Sequence, residues 1–259
     1  NLSPDHPMRG RLLTRQSSIN GFLGNRSLSC RQAQDSVRIL RSVLPLENLE
    51  MTSAYVQYGA ALCDQKQYEL GINAYQEGLN GHPEIEPRLR TNLGLLLHRM
   101  GRFEESAIEG KKAVELFTAK YGAEHPETAA AIGRYAGPLE SMGQVETAER
   151  MFAEATRLLQ KSDPFHVRIL DQVRNQAHCL LTMNRAEEAA QLLKEHRRIY
   201  TKRDESPTYQ GKYSLLQAQA LLRQRQKQTE ALQFATEART RFQSPGVDPT
   251  LRQEAETVI

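Results

Sequence analysis

The stretch SAYVQYGAALCDQKQYELGINAYQEGLNGHP, Ser53 to Pro83, decides the fold. Tyr55, Tyr58, Gly59 and Leu62 share one face at helical spacing, and Tyr68, Gly71, Tyr75 and Gly78 repeat the arrangement after a short break. Glycine inside a helix costs roughly 1 kcal/mol relative to alanine, so three glycines among aromatic residues point to a neighbouring helix that leaves no room for a side chain. Pro83 stops the second helix, and the stretch reads as helix, turn, helix.

Working outward, the small residue of the first helix recurs as Ser17, Gly59, Gly94, Ala136, Ala177 and, as the sixth rung, Gln219, at intervals of 42, 35, 42, 41 and 42 residues. The turn keeps the same beat at Gly24, Lys66, Gly101, Gly143, Asn184 and Gln226. Four of these six are Gly or Asn, the residues that favour a left-handed helix end. The second helix carries paired small residues seven apart: Ser29 and Ser36, Gly71 and Gly78, Ser106 and Ala113, Ala148 and Ala155, Ala231 and Ala238. The fifth helix pair breaks this ladder, with Ala189 followed by His196. His6-Pro7 and His125-Pro126 stand 119 residues apart, as do Ser17 and Ala136.

This pattern resembles the tetratricopeptide repeat, whose signature places fall here on Tyr55, Tyr58, Gly59, Gly71, Tyr75, Gly78 and Pro83. The long beat, with runs such as YGAEHPETA (residues 121–129), is similar to the kinesin light chain type of repeat, which also occurs in bacterial multidomain kinases and regulators. The resemblance implies an all-α fold, a right-handed α-solenoid of about six helix pairs over residues 8–45, 48–83, 87–120, 127–162, 165–203 and 208–245, with a terminal helix over 250–259. The whole chain, 1–259, is then one superhelical domain, expected to be a piece of a longer protein. Prolines 126 and 164 introduce the fourth and fifth pairs, with Asp163 as the cap of the fifth.

Bulk properties narrow the function classes. A net charge of +3 gives no electrostatic case for nucleic acid, and no run of 18 apolar residues offers a membrane span. Cys30, Cys63 and Cys179 have no paired spacing and read as reduced, buried thiols, which suits a cytoplasmic setting. No phosphate loop, nucleophile elbow or metal-ligand spacing is present, and the neighbours His178 and Cys179 point about 100° apart on a helix. No catalytic residue, metal or cofactor is expected.

In such solenoids the first helices line the concave groove. One groove position carries Arg15, Gln57, Asn92, Arg134, Asn175 and Gln217, all amides or guanidiniums able to hydrogen-bond an extended backbone. Arg88, His98, Arg99, Arg174, His178 and Arg223 add cations, against Asp64, Glu140 and Asp171. The expected peptide-binding groove is therefore Gln57, Arg88, Asn92, His98, Arg99, Arg134, Arg174, Asn175, His178, Gln217 and Arg223, with an acidic protein or peptide as partner. The lysine and asparagine set by which chaperone-binding members clamp a terminal carboxylate is not seen. The implied function is a protein-interaction scaffold, a regulatory or sensory region of a larger protein. The alternatives are a peptide-pheromone-type sensor of a transcription regulator and an RNA-binding helical repeat.

Overall fold

A computed structural model of the chain describes residues 6–166, 168–202, 207–224, 227–244 and 247–258, the side chains of 200–202 excepted. These residues form thirteen α-helices and no strand. Six antiparallel pairs follow in order: α1 (Pro7–Phe22) with α2 (Arg26–Arg41), α3 (Leu49–Asp64) with α4 (Tyr68–Leu79), α5 (Glu86–Arg99) with α6 (Phe103–Tyr121), α7 (Pro126–Ser141) with α8 (Val145–Ser162), α9 (Arg168–Thr182) with α10 (Ala186–Lys202), and α11 (Pro207–Leu222) with α12 (Gln228–Phe242). A last helix, α13 (Pro249–Val258), packs on α11 and α12. The helices fall into two compact units, Asn1–Ala123 and Glu124–Ile259.

Each pair is held by the ladder read from the sequence. The turn residues Gly24, Lys66, Gly101, Gly143 and Asn184 all have positive φ, between 61° and 80°. Each closes its helix with the same two bonds: for Lys66, its own N–H to the Cys63 carbonyl at 3.0 Å and the Gln67 N–H to Leu62 at 3.0 Å. This is the Schellman arrangement, and it turns the chain back at one fixed angle. Gln226 lies outside the described residues.

Within the pairs, the small residue of the first helix meets the small residue twelve positions later. A side chain on Gly59 would run into the Tyr75 ring, and one on Gly71 would press on the side chains of Cys63 and Leu96 and touch the Gly59 carbonyl. Where serine takes these places, it bonds the partner helix: Ser17 Oγ donates to the Ser29 carbonyl at 2.8 Å, Ser29 Oγ returns the bond to Ser17 at 2.8 Å, and Ser106 Oγ reaches the Gly94 carbonyl at 2.8 Å. Hydroxyls thus let α1 and α2 approach closely despite their polar sequence.

The structure corrects the pattern at three places. At the sixth rung Ala218 is fully buried while Gln219 is half-exposed, because a closely packed seam accepts a methyl and not a carboxamide. His196, which breaks the small-residue ladder, still occupies its rung buried, with Nε2 accepting from Gln160 Nε2 at 2.9 Å and Nδ1–H meeting the Leu192 carbonyl at 2.9 Å, so both ring nitrogens are satisfied. Asp163 caps the turn rather than a helix: its carboxylate accepts from the Phe165 N–H at 2.9 Å, and α9 begins only at Arg168, whose N–H is taken by His166 Nδ1 at 3.1 Å. His6 and His125 cap α1 and α7 in the same way, at 3.1 Å each, with proline following at the first helical position.

Within each unit the first helices touch one another, α1 with α3 and α3 with α5, α7 with α9 and α9 with α11. Among the described residues the backbones of successive second helices do not: α2 and α4, α4 and α6, α8 and α10, and α10 and α12 reach one another at most through side chains, as where Gln160 of α8 meets His196 of α10. A stack closed on one side and open on the other curves toward the closed side, so the first helices line the concave face of each unit.

Two substitutions test this packing by thermal or denaturant melting. Gly59→Ala should destabilise by about 1–3 kcal/mol through its clash with Tyr75. Lys66→Gly should stabilise by about 1 kcal/mol by relieving a left-handed backbone at φ 62°. An unchanged Gly59→Ala melt would remove the close approach from the account of the fold.

Candidate functional site

In the first unit the concave face carries Gln57 on α3 and Arg88, Asn92, His98 and Arg99 on α5. Gln57 is half-buried and donates to Ser17 Oγ at 3.1 Å, tying α3 to α1. His98 packs on the Phe103 ring with centroids 5.3 Å apart. The side chains of Arg88, Asn92 and Arg99 make no hydrogen bond or ion pair among the described residues. Arg90 is the opposite case, held by Glu86 and Glu109 at 2.7 Å each.

In the second unit the same face brings together Arg134 on α7 and Arg174, Asn175 and His178 on α9. The cations around Arg134 are largely compensated. Arg168 pairs with Glu127 at 2.7 Å, and Arg174 meets Asp171 at 3.3 Å while its guanidinium lies 5.5 Å from the centre of the Tyr209 ring. Tyr209 donates its hydroxyl to Asp171, and burial together with that carboxylate pushes its phenol up to about 12. Arg134 itself is open to solvent and makes no hydrogen bond or ion pair among the described residues. The loss of part of its hydration in the groove and the nearby Arg168 charge hold its guanidinium below the usual arginine value. Pro138, inside α7, has no N–H to give to the Arg134 carbonyl, so that acceptor is also left over by the helix.

His178 Nδ1 lies 2.5 Å from Glu140 Oε1, joining α9 to α7. That hydrogen bond raises the His178 pKa against the opposing effects of burial and of Arg174 and Arg223. Arg223 donates to the Leu181 carbonyl at the end of α9. Gln217 is not open to the groove. It is 4% exposed, and its Nε2 bonds the Ala190 carbonyl at 3.3 Å, because the shift of the sixth rung to Ala218 turns it into the seam between α11 and α10. The sequence pattern missed Arg168, Glu127 and Tyr209, which sit near helix starts where no groove register had been assigned; the loops before them decide where those starts fall.

Among the described residues no group of His, Cys, Asp or Glu is placed to hold a metal ion, and no helix is long and apolar enough to cross a membrane. The three cysteines are free.

Residues 86–161 match the family model of the tetratricopeptide repeat, and the described residues as a whole fold as an all-α helical repeat. Among solved structures, the chain is similar to BtubC (BKLC) from P. vanneervenii, with 16% identity, 92% of this chain and 94% of that one covered, and a TM-score of 0.69. It is similar to PilF of Pseudomonas aeruginosa, with 14% identity, 97% and 98% covered, and a TM-score of 0.67. A third likeness is to the Cut9–Hcn1 hetero-tetramer of the APC/C, with 14% identity, 96% of this chain but 43% of that one, and a TM-score of 0.68. At these identities the likeness concerns the fold. No curated protein matches the chain in sequence.

The His178 and Glu140 pair makes a pH prediction. A raised native pKa means that the pair's contribution is fully present below the unfolded value of about 6.5 and is lost as pH rises through the native value. Glu140→Gln should return the His178 imidazole titration, followed by NMR, downward toward 6.5. An unmoved titration would show that the pair is not formed in solution.

Proposed function

We propose that the chain is a peptide-binding scaffold whose concave faces hold an extended or helical segment of a partner protein bearing carboxylates, as a regulatory or sensory region of a larger protein. The observation that carries this reading is Arg134. It is a guanidinium on a concave face, without an ion pair among the described residues, while the adjacent Arg168 and Arg174 are compensated by Glu127 and Asp171. A planar, permanently charged group with five donors is suited to bidentate carboxylate binding. Asn175, one repeat further on, is positioned to bond the backbone of the same segment in the second unit. In the first unit Arg88, Asn92 and Arg99 offer the same chemistry. Free thiols, buried at Cys30 and Cys179 and part-exposed at Cys63 where the sequence reading expected burial, suit a reducing compartment, and the cytoplasm is the proposed setting.

The test is fluorescence anisotropy with a labelled peptide of alternating glutamate and serine, against a glycine–serine peptide of equal length. Preference for the acidic peptide, weakened by salt and reduced about tenfold or more by Arg134→Glu in a fully folded variant, is expected. Equal binding of the two peptides, or an Arg134→Glu variant that binds as the parent does, would overturn the proposal.

A further inference from the structure

The first helix of the first unit is turned inside out. Its buried face is small and polar: Gly10 and Ser17 lie in the seam with α2, where Ser36 Oγ donates to the Gly10 carbonyl at 2.7 Å and Thr14 Oγ1 meets the same hydroxyl at 2.6 Å. Its large apolar side chains point the other way. Met8, Leu12, Ile19 and Leu23 follow at i, i+4, i+11 and i+15, a stripe on the face opposite Gly10 and Ser17. All four are exposed, Leu12 at 47% and Ile19 at 58%.

The register of the repeat identifies this face. Counting 42 and then 35 residues on, Leu12 and Ile19 correspond to Ala54 and Ala61 of α3 and to Leu89 and Leu96 of α5. Those four are at most 2% exposed, because the second helix of the preceding pair lies across them. α2 brings Cys30, Ala33 and Val37 to Ala54 and Ala61, and α4 brings Ile72 and Tyr75 to Leu89 and Leu96. The apolar face of α1 therefore continues an interface that the unit builds twice, with no helix laid on it among the described residues.

The charge of the face selects the kind of helix. α1 and α2 hold seven arginines and one acid, Asp35, in a chain whose net charge is +3, and α1 itself has no acid. Arg15 borders the stripe on the groove side and Arg9 on the other; both are exposed, and neither side chain makes a hydrogen bond or ion pair among the described residues. Arg9 stands in the register of Met51 and Ile169, which are fully buried. A wholly apolar helix laid there would strand its guanidinium, whereas a carboxylate would pair with it. A second copy meeting α1 with its own α1 would set arginine against arginine.

We propose that the outer face of α1 docks an acidic amphipathic helix of a partner protein, laid as α2 lies on α3. Its apolar stripe covers Met8, Leu12, Ile19 and Leu23, and carboxylates on its two flanks bind Arg9 and Arg15. Met8 to Leu23 spans about 22 Å at 1.5 Å per residue, so the partner helix needs roughly four turns. The site adjoins the concave groove and does not depend on it.

The test is a methyl-NMR titration of the whole chain with a synthetic helix of roughly 18 residues, leucine at i, i+4, i+7 and i+11, glutamate on both flanks and alanine elsewhere. One counterpart has lysine for every glutamate; another keeps the composition but spreads the leucines round the helix. The acidic striped helix should shift the Met8, Leu12, Ile19 and Leu23 methyl signals saturably, with affinity at least about tenfold above either counterpart. Leu12→Gln with Ile19→Gln, exposed changes that leave the packing intact, should reduce binding at least about tenfold. Arg9→Glu should weaken the acidic helix and strengthen the lysine one, an inversion that a merely structural residue would not produce. No shift at these methyls, equal binding of either counterpart, or undiminished binding by the double variant would overturn the proposal. So would a dimer of the chain alone that the double variant abolishes, or capture by phosphatidylserine vesicles in place of the helix, since either gives the face to another occupant.

Discussion

Everything in this chain depends on how closely the two helices of a pair approach at the small residues twelve positions apart, Ser17 with Ser29, Gly59 with Gly71, Gly94 with Ser106, Ala136 with Ala148 and Ala177 with Ala189. Dispersion between two helices falls steeply with separation, so a methyl or a hydrogen at the crossing decides whether the flanking large side chains interlock. With that contact made, Tyr75 fills the space over Gly59, and Phe152, fully buried, fills the fourth pair. The five Schellman turns then hold each pair antiparallel, so the contact sets both the spacing and the direction of the helices.

The concave and convex faces follow from the same constraint one level up. First helices meet their neighbours in the stack backbone to backbone, while second helices meet only through side chains, and the curvature sorts the polar residues into two environments. On the concave side, long cationic and amide side chains gather and charge compensation is uneven: Arg168 and Arg174 are neutralised and Arg134 is not. On the convex side, the splay leaves clefts of about 440 Å³ between α8 and α10, where Gln176 bonds Glu149, and of about 710 Å³ between α10 and α12, where Ala190 takes the place of that glutamate. A repeat protein can in this way keep one fold while varying its sites rung by rung, because each repeat contacts only its neighbours.

Much of this was legible from residues alone. Glycines among aromatics, left-handed turn residues on a common beat and histidine–proline pairs at helix starts are local signals, each tied to a backbone conformation or a close approach that few residues tolerate. That Asn92, Arg134, Asn175 and His178 lie on first helices also followed from counting along the repeat. Gln217 and Gln219 did not, since the sixth pair has a longer connection and its rung slips by one residue to Ala218. Asp163 and His166 exchanged roles for a similar reason: two capping residues three positions apart are equivalent in sequence, and the path of the preceding chain chooses between them.

By itself, then, the sequence determined the all-α repeat, its beat, its turns and the polar character of the concave faces, because these rest on interactions within one helix pair. Tertiary structure alone decided which cations are compensated, that Tyr209 and Arg174 share Asp171, that His178 meets Glu140, and that a cleft opens beside Gln217. Apart from Arg174 and Asp171, three apart on α9, those contacts join residues 27 to 42 positions apart, across neighbouring repeats. Their geometry depends on how one pair seats on the next, a sum of small packing terms that no single residue announces.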